Sequence, residues 1–107
     1  MENGYYIVSL KHTQKRDTYI TLWGPNNAGY NFSKEMSGVY SEPEKGYTDS
    51  DNALPITVDL ADKLFMPVKY DGQDKNMIPN CQAVWSILNL KWIKGQLTRL
   101  PEITGGR

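Results

Sequence analysis

Tyr5-Tyr6-Ile7-Val8-Ser9-Leu10 and Thr18-Tyr19-Ile20-Thr21-Leu22-Trp23 are the two stretches on which the fold turns. Both are dense in β-branched and aromatic residues, and the polar run Thr13-Gln14-Lys15-Arg16-Asp17 between them has hairpin-loop character. Successive side chains of a strand point to opposite faces. One face then carries Tyr6, Val8, Leu10, Ile20 and Leu22 and should meet the core. The other carries Tyr5, Ile7, Ser9, Lys11, Tyr19, Thr21 and Trp23, a mixture of rings, hydroxyls and an ammonium that is unusual for plain solvent exposure.

Outward from this hairpin, Gly24-Pro25-Asn26-Asn27-Ala28-Gly29 is a strong turn signal leading into Tyr30-Asn31-Phe32, a short third strand. Ser33 can N-cap a brief helical turn ending at Gly38, Val39-Tyr40 reads as extended, and residues 41–53 read as an exposed acidic loop. Thr57 is the expected N-cap of a helix over about 58–65, with Leu60, Leu64 and Phe65 inward, stopped by Pro67. Residues 66–78 read as a loop. Asn80 is the expected cap of a second helix over 81–88, whose Val84, Trp85 and Leu88 share one stripe, with Asn89 as its left-handed exit. Leu90-Lys91-Trp92-Ile93 and Gln96-Leu97-Thr98-Arg99-Leu100 flank Lys94-Gly95 as a second hairpin, and 101–107 reads as a frayed tail. The expectation is one α+β domain over 1–100, a small antiparallel sheet made of the N-terminal and C-terminal hairpins and packed with two short helices.

The 107 residues suffice for a core that buries roughly 65% of the unfolded surface without staples. A lone cysteine, Cys81, allows no internal disulfide. The start of the chain lacks the basic, apolar pattern of a signal peptide, and no run reaches the ~18 apolar residues of a membrane span. A cytoplasmic protein is expected. Twelve basic and twelve acidic residues cancel overall but not locally: residues 1–40 hold four against three, 41–62 one against six, and 63–107 seven against three. A neutral chain is a poor duplex nucleic-acid binder, because such proteins neutralise many phosphates at once.

With one histidine, His12, two-histidine metal and phosphoesterase chemistries are excluded within one chain. Ser9, Asp17 and Cys81 are conceivable partners of His12 in nucleophilic catalysis, yet no nucleophile-elbow glycine pattern accompanies them. Asp49-Ser50-Asp51-Asn52 opens like a calcium loop, but Leu54 stands where glycine is needed and Leu60 where a bidentate glutamate is needed. Cys81 reads as a small core residue. No P-loop or dinucleotide glycine fingerprint is present. The expectation is therefore a non-enzymatic binding protein without catalytic residues, metal or cofactor.

The candidate binding surface is the outer hairpin face with its adjoining turns. Lys11, His12, Thr13, Lys15 and Arg16 place donors at one end, while Tyr19, Trp23 and Tyr30, with Tyr40 and Tyr47 in reach, supply flat rings. Rings stack on nucleobases at roughly 1–3 kcal/mol each, and cations with hydroxyls hold phosphate. The competing reading is equally physical: ordinary cross-strand aromatic pairs under a covering helix or second copy of the chain. A hairpin face alone buries a small ligand poorly, so a homo-oligomer with a pocket between copies is expected.

The run Tyr6-Ile7-Val8-Ser9-Leu10-Lys11-His12-Thr13, then Tyr19-Ile20-Thr21-Leu22-Trp23-Gly24-Pro25 and Gly29-Tyr30, resembles a family of small phage- and prophage-encoded proteins. Gly38-Val39-Tyr40, Gly46-Tyr47 and Ile78-Pro79-Asn80-Cys81 extend the resemblance to about residue 92. Where relatives carry a Cys-Trp-type pair after Gly29-Tyr30, this chain has Asn31-Phe32. The resemblance implies a phage accessory protein acting in the host cell cytoplasm against host defence. It would act by sequestering a nucleotide immune signal, or alternatively by inhibiting a host defence protein through the acidic segment 41–62. An enzyme processing a nucleotide is a third, lesser expectation.

Overall fold

The computed structural model describes residues 4–101 and shows an α+β arrangement ordered around strand β1, Tyr5–Ser9. β1 lies between β2, Leu22–Trp23, and β4, Ala53–Thr57, both antiparallel to it, and β3, Tyr30–Asn31, extends the sheet beyond β2. The spatial order is β3-β2-β1-β4. Helix α1, Val58–Leu64, follows β4 directly, with Thr57 Oγ1 accepting the Leu60 N–H as its N-cap. Next come the hairpin of β5, Met66–Tyr70, and β6, Gln73–Met77, the helix α2, Gln82–Ile87, and the hairpin of β7, Leu90–Ile93, and β8, Gln96–Arg99.

The inner face of β1 and β2 behaves as its alternation dictates. Tyr6, Val8, Leu10, Ile20 and Leu22 are buried in one cluster with residues from β4, both helices and the last hairpin. Burial of each such side chain contributes roughly 1.5–3 kcal/mol of driving force. The Lys94-Gly95 turn has φ of 52° and 79°, as a two-residue antiparallel hairpin requires, and Asn89 leaves α2 at φ 59°. Ser33 caps a short 3-10 turn by accepting the Met36 N–H.

Several expectations are corrected. The first hairpin is not a continuous pairing of two six-residue strands. β1 meets β2 only around Val8 and Leu22, while the main partner of β1 is β4, through five pairs from Tyr5–Thr57 to Ser9–Ala53. Residues 18–20 turn away to meet 78–80, with Ile20 N donating to Ile78 O at 2.9 Å and Asn80 N to Thr18 O at 3.0 Å. β4 hides in the sequence because Pro55 interrupts it. On an edge strand a residue without an N–H is tolerated, and β4 is an edge.

The C-terminal hairpin forms its own two-stranded sheet and does not join the N-terminal one, because β4 occupies the place beside β1. Residues 66–77 are a hairpin and not a loop. Asp71 and Gly72, at φ 54° and 78°, make the tight turn. Asn80 does not cap α2, whose N-cap is Cys81 without a side-chain bond. The Asn80 carboxamide instead donates to Gln14 O and Asp17 O, each at 2.9 Å, and accepts from Trp85 Nε1 at 2.7 Å, tying the 13–17 turn to the helix. Cys81 packs half-buried against the core. The expected tail lies outside the described residues apart from Pro101. Among the described residues no helix is long and apolar enough to cross a membrane.

Candidate functional site

The outer face of β1 is covered along part of its length and open at one end. Ile7, Ser9 and Thr21 on this face are buried, as is Thr48 in the segment 41–53. That segment is largely exposed, as expected, but it is folded back as a wall and not splayed into solvent. Glu44 N donates to Thr48 Oγ1 at 2.7 Å, and Arg99 Nη1 on β8 donates to Asp49 Oδ1 at 2.6 Å and to Ser50 O at 3.1 Å. Arg99's hydrogen bond holds the Asp49 carboxyl below its usual range against the opposing effect of burial, with Lys45 Nζ, 3.5 Å away, adding to the lowering.

Between this wall and the sheet lies a cleft of about 260 Å³, lined from three separated segments: Ser9, Lys11 and His12; Trp23, Asn27, Gly29 and Tyr30; and Gly46, Tyr47, Ser50, Asn52 and Ala53. Trp23 is the hub of its rings. It meets Tyr47, Tyr40 and Tyr30 edge-on, at centroid distances of 5.2, 6.2 and 6.3 Å. Tyr30 stacks one face on His12 at 3.9 Å, yet remains 51% exposed, and Tyr47 is 48% exposed, so both offer open ring surface. Gly24 allows the 24–29 turn to close. Its N–H donates to Gly29 O at 2.8 Å, and a Cβ on it would stand 2.3 Å from Ala28 O. Tyr40 fastens the same turn, its hydroxyl donating to Gly24 O and accepting the Asn27 N–H.

His12 is held by Ser9. The Ser9 hydroxyl oxygen accepts the His12 backbone N–H at 3.2 Å and lies 2.9 Å from His12 Nδ1. Ser9 is 1% exposed, so this side-chain contact pins the imidazole from a buried anchor. The wider triad is not assembled. Asp17 Oδ2 accepts the Gln14 N–H at 2.8 Å and closes its own turn, and Cys81 is at the start of α2. Among the described residues no three His, Cys, Asp or Glu side chains gather into a metal-holding group.

The structure thus divides the proposed site. Lys11, His12, Trp23 and Tyr30 come together in the cleft, joined by Tyr47. Thr13 does not reach it. Thr13 is buried, donates to Ser9 O at 2.7 Å and accepts from Thr21 N at 3.1 Å, holding the two strands where their direct pairing lapses. Arg16 and Tyr19 line a different recess with Phe32 and Tyr70, and Lys15 lines another beside Trp85, Lys91 and Trp92. Sequence reasoning missed Asn27, Ser50 and Asn52. Their signal was faint, lying in the asparagine-rich turn and in a segment read as solvated loop. An apolar groove of about 280 Å³, lined by Tyr30, Phe32, Met36, Tyr70 and Met77 among others, runs beside the cleft. No family model, curated protein or solved structure matches this chain.

Proposed function

We propose that this chain binds a small nucleotide in the cleft between β1 and the 41–53 wall and holds it without converting it, in the role of a phage accessory protein that withdraws a nucleotide signal from host defence. The observation that carries the reading is the convergence of Lys11, His12, Trp23, Tyr30 and Tyr47 on one cleft from three distant parts of the chain. The half-exposed rings of Tyr30 and Tyr47 supply stacking surfaces, the Lys11 ammonium supplies a phosphate partner, and the His12 imidazole, stacked on Tyr30, adds a second ring with polar nitrogens. The cleft lies within one chain, so the reading does not require the homo-oligomer expected from a bare hairpin face.

Two stacked contacts at roughly 1–3 kcal/mol each, with a charged phosphate contact of about 1.5–3 kcal/mol, total about 3.5–9 kcal/mol, which spans affinities from about millimolar to about micromolar. A nucleotide at one hundred times its Kd stabilises a folded protein by about 2.7 kcal/mol. A panel of nucleotides at millimolar concentration should therefore contain members that raise the Tm by several degrees. The ligand released by heat should be chemically unchanged. Release of altered nucleotide would transfer the reading to an enzyme, and a panel without any shift would reject it. A second reading, docking of a host protein, is favoured by the apolar groove at Tyr30, Met36 and Tyr70, all three of which are largely exposed. Its test through the acidic segment should use Asp51→Asn and not Asp49, which is engaged by Arg99.

A further inference from the structure

Resting on the nucleotide reading, we infer that the cleft selects ligands with one base and a single phosphate group, and disfavours di- and triphosphates and dinucleotides. Charge sets the first limit. Lys11 is the sole cationic side chain among the lining residues. Of the other cations of the neighbourhood, Arg99 is engaged by Asp49 at 2.6 Å, and Lys45 points into solvent with its Nζ 3.5 Å from the same carboxylate. Lys15 and Arg16 face other recesses. The wall contributes the opposite sign. Asp51 stands between the lining residues Ser50 and Asn52 and makes no ion pair among the described residues, and Glu44 lies two residues before Gly46. One ammonium neutralises one phosphate, and carboxylates at positions neighbouring the rim disfavour a chain of them.

Size sets the second limit. Typical small-molecule pockets run from about 300 to 1,000 Å³, so a cleft of about 260 Å³ falls just below that range and suits no more than one base with its sugar phosphate. The remaining polar groups suit a neutral ligand body. Asn27 and Asn52 line the cleft, their carboxamides make no side-chain hydrogen bond among the described residues, and each offers a donor and an acceptor together. That is the pairing displayed by the edge of a nucleobase, which a carboxamide meets with two hydrogen bonds.

Calorimetric titration of the full chain with one base in five forms tests this: the nucleoside monophosphate, its cyclic monophosphate, the diphosphate, the triphosphate, and inorganic phosphate as the base-free control. All four bases are covered in turn. The expected result is binding of the mono- and cyclic monophosphates, with diphosphate and triphosphate at least tenfold weaker and inorganic phosphate without measurable heat. Lys11→Ala should weaken the monophosphate about tenfold, with Lys11→Arg restoring most of it. Asp51→Asn should narrow the gap between mono- and triphosphate. Triphosphate binding as tight as monophosphate overturns the inference while leaving the nucleotide reading intact. Absence of binding by every nucleotide, with the chain folded by circular dichroism, overturns the reading on which the inference rests.

Discussion

Replacing Arg99 by methionine removes the guanidinium and retains most of the stem. In the intact chain Nη1 donates to Asp49 Oδ1 at 2.6 Å and to Ser50 O at 3.1 Å. After the replacement the Asp49 carboxylate, with a side chain 15% exposed, keeps only Lys45 at 3.5 Å. A charged hydrogen bond contributes about 1.5–3 kcal/mol when enclosed, whereas exposed ion pairs contribute about 1 kcal/mol or less. The Arg99 side chain is 34% exposed, so solvent screening brings the expectation to about 1–2 kcal/mol. For a domain of this length that is a fall in Tm of roughly 5–15 °C. The pairwise share is read from a double-mutant cycle with Asp49→Asn, by thermal and urea unfolding. Because Asp49 is held below its unfolded value, its contribution is fully present above about pH 4 and is lost as the pH falls through the folded value. Coupling should therefore be constant between pH 5 and pH 7 and decline only in stronger acid. A coupling under about 0.3 kcal/mol at pH 7, or one that changes between pH 5 and pH 7, would refute the assignment of this ion pair as the fastening of the wall.

Ile7 is fully buried on the side of β1 away from the main cluster, so Ile7→Ala should cost about 2–5 kcal/mol by denaturant unfolding; a loss below about 1 kcal/mol would mean the outer face is open along its whole length. Gly24→Ala should disrupt the 24–29 turn, since its Cβ meets the Ala28 carbonyl oxygen, and the loss of backbone amide protection in that turn is the readout. Trp23→Ala should lower stability by about 2–4 kcal/mol, because three tyrosines pack on the indole, whereas Trp23→Phe should retain most of it; equal losses would remove Trp23 as the hub. Trp92→Phe should cost less than about 1 kcal/mol in the same assay, because Trp92 Nε1 is buried without a hydrogen-bond partner among the described residues and its removal relieves an unmet donor.

Local chemistry was legible wherever one short segment decided the outcome. Thr57 and Ser33 cap as their positions suggest, Lys94-Gly95 turns, and the inner face of the first two strands is buried residue for residue. The readings that failed depended on partners distant in sequence. Nothing around Tyr5–Ser9 announces that its principal neighbour is Ala53–Thr57, because pairing over some fifty residues leaves no local periodicity and Pro55 breaks the pattern of its partner. Asp71-Gly72 was a visible turn signal between two polar strands, but strands exposed on both faces lack the alternation that identifies them. The candidate surface divided for the same reason. Lys11, His12, Trp23 and Tyr30 share a cleft, whereas Arg16 and Tyr19 follow the chain into the contact with 78–80 and out of reach.

Tyr30 lines both the polar cleft and the apolar groove, and its ring already rests on His12. One aromatic ring is thus the party wall of two chambers. A guest in the groove that reoriented this ring would alter the affinity of the cleft, and by reciprocity a guest in the cleft would then alter the groove by the same factor. Sequestration of a small molecule and recognition of a protein surface would then be linked equilibria on one chain, with the two readings of this fold acting as effectors of one another.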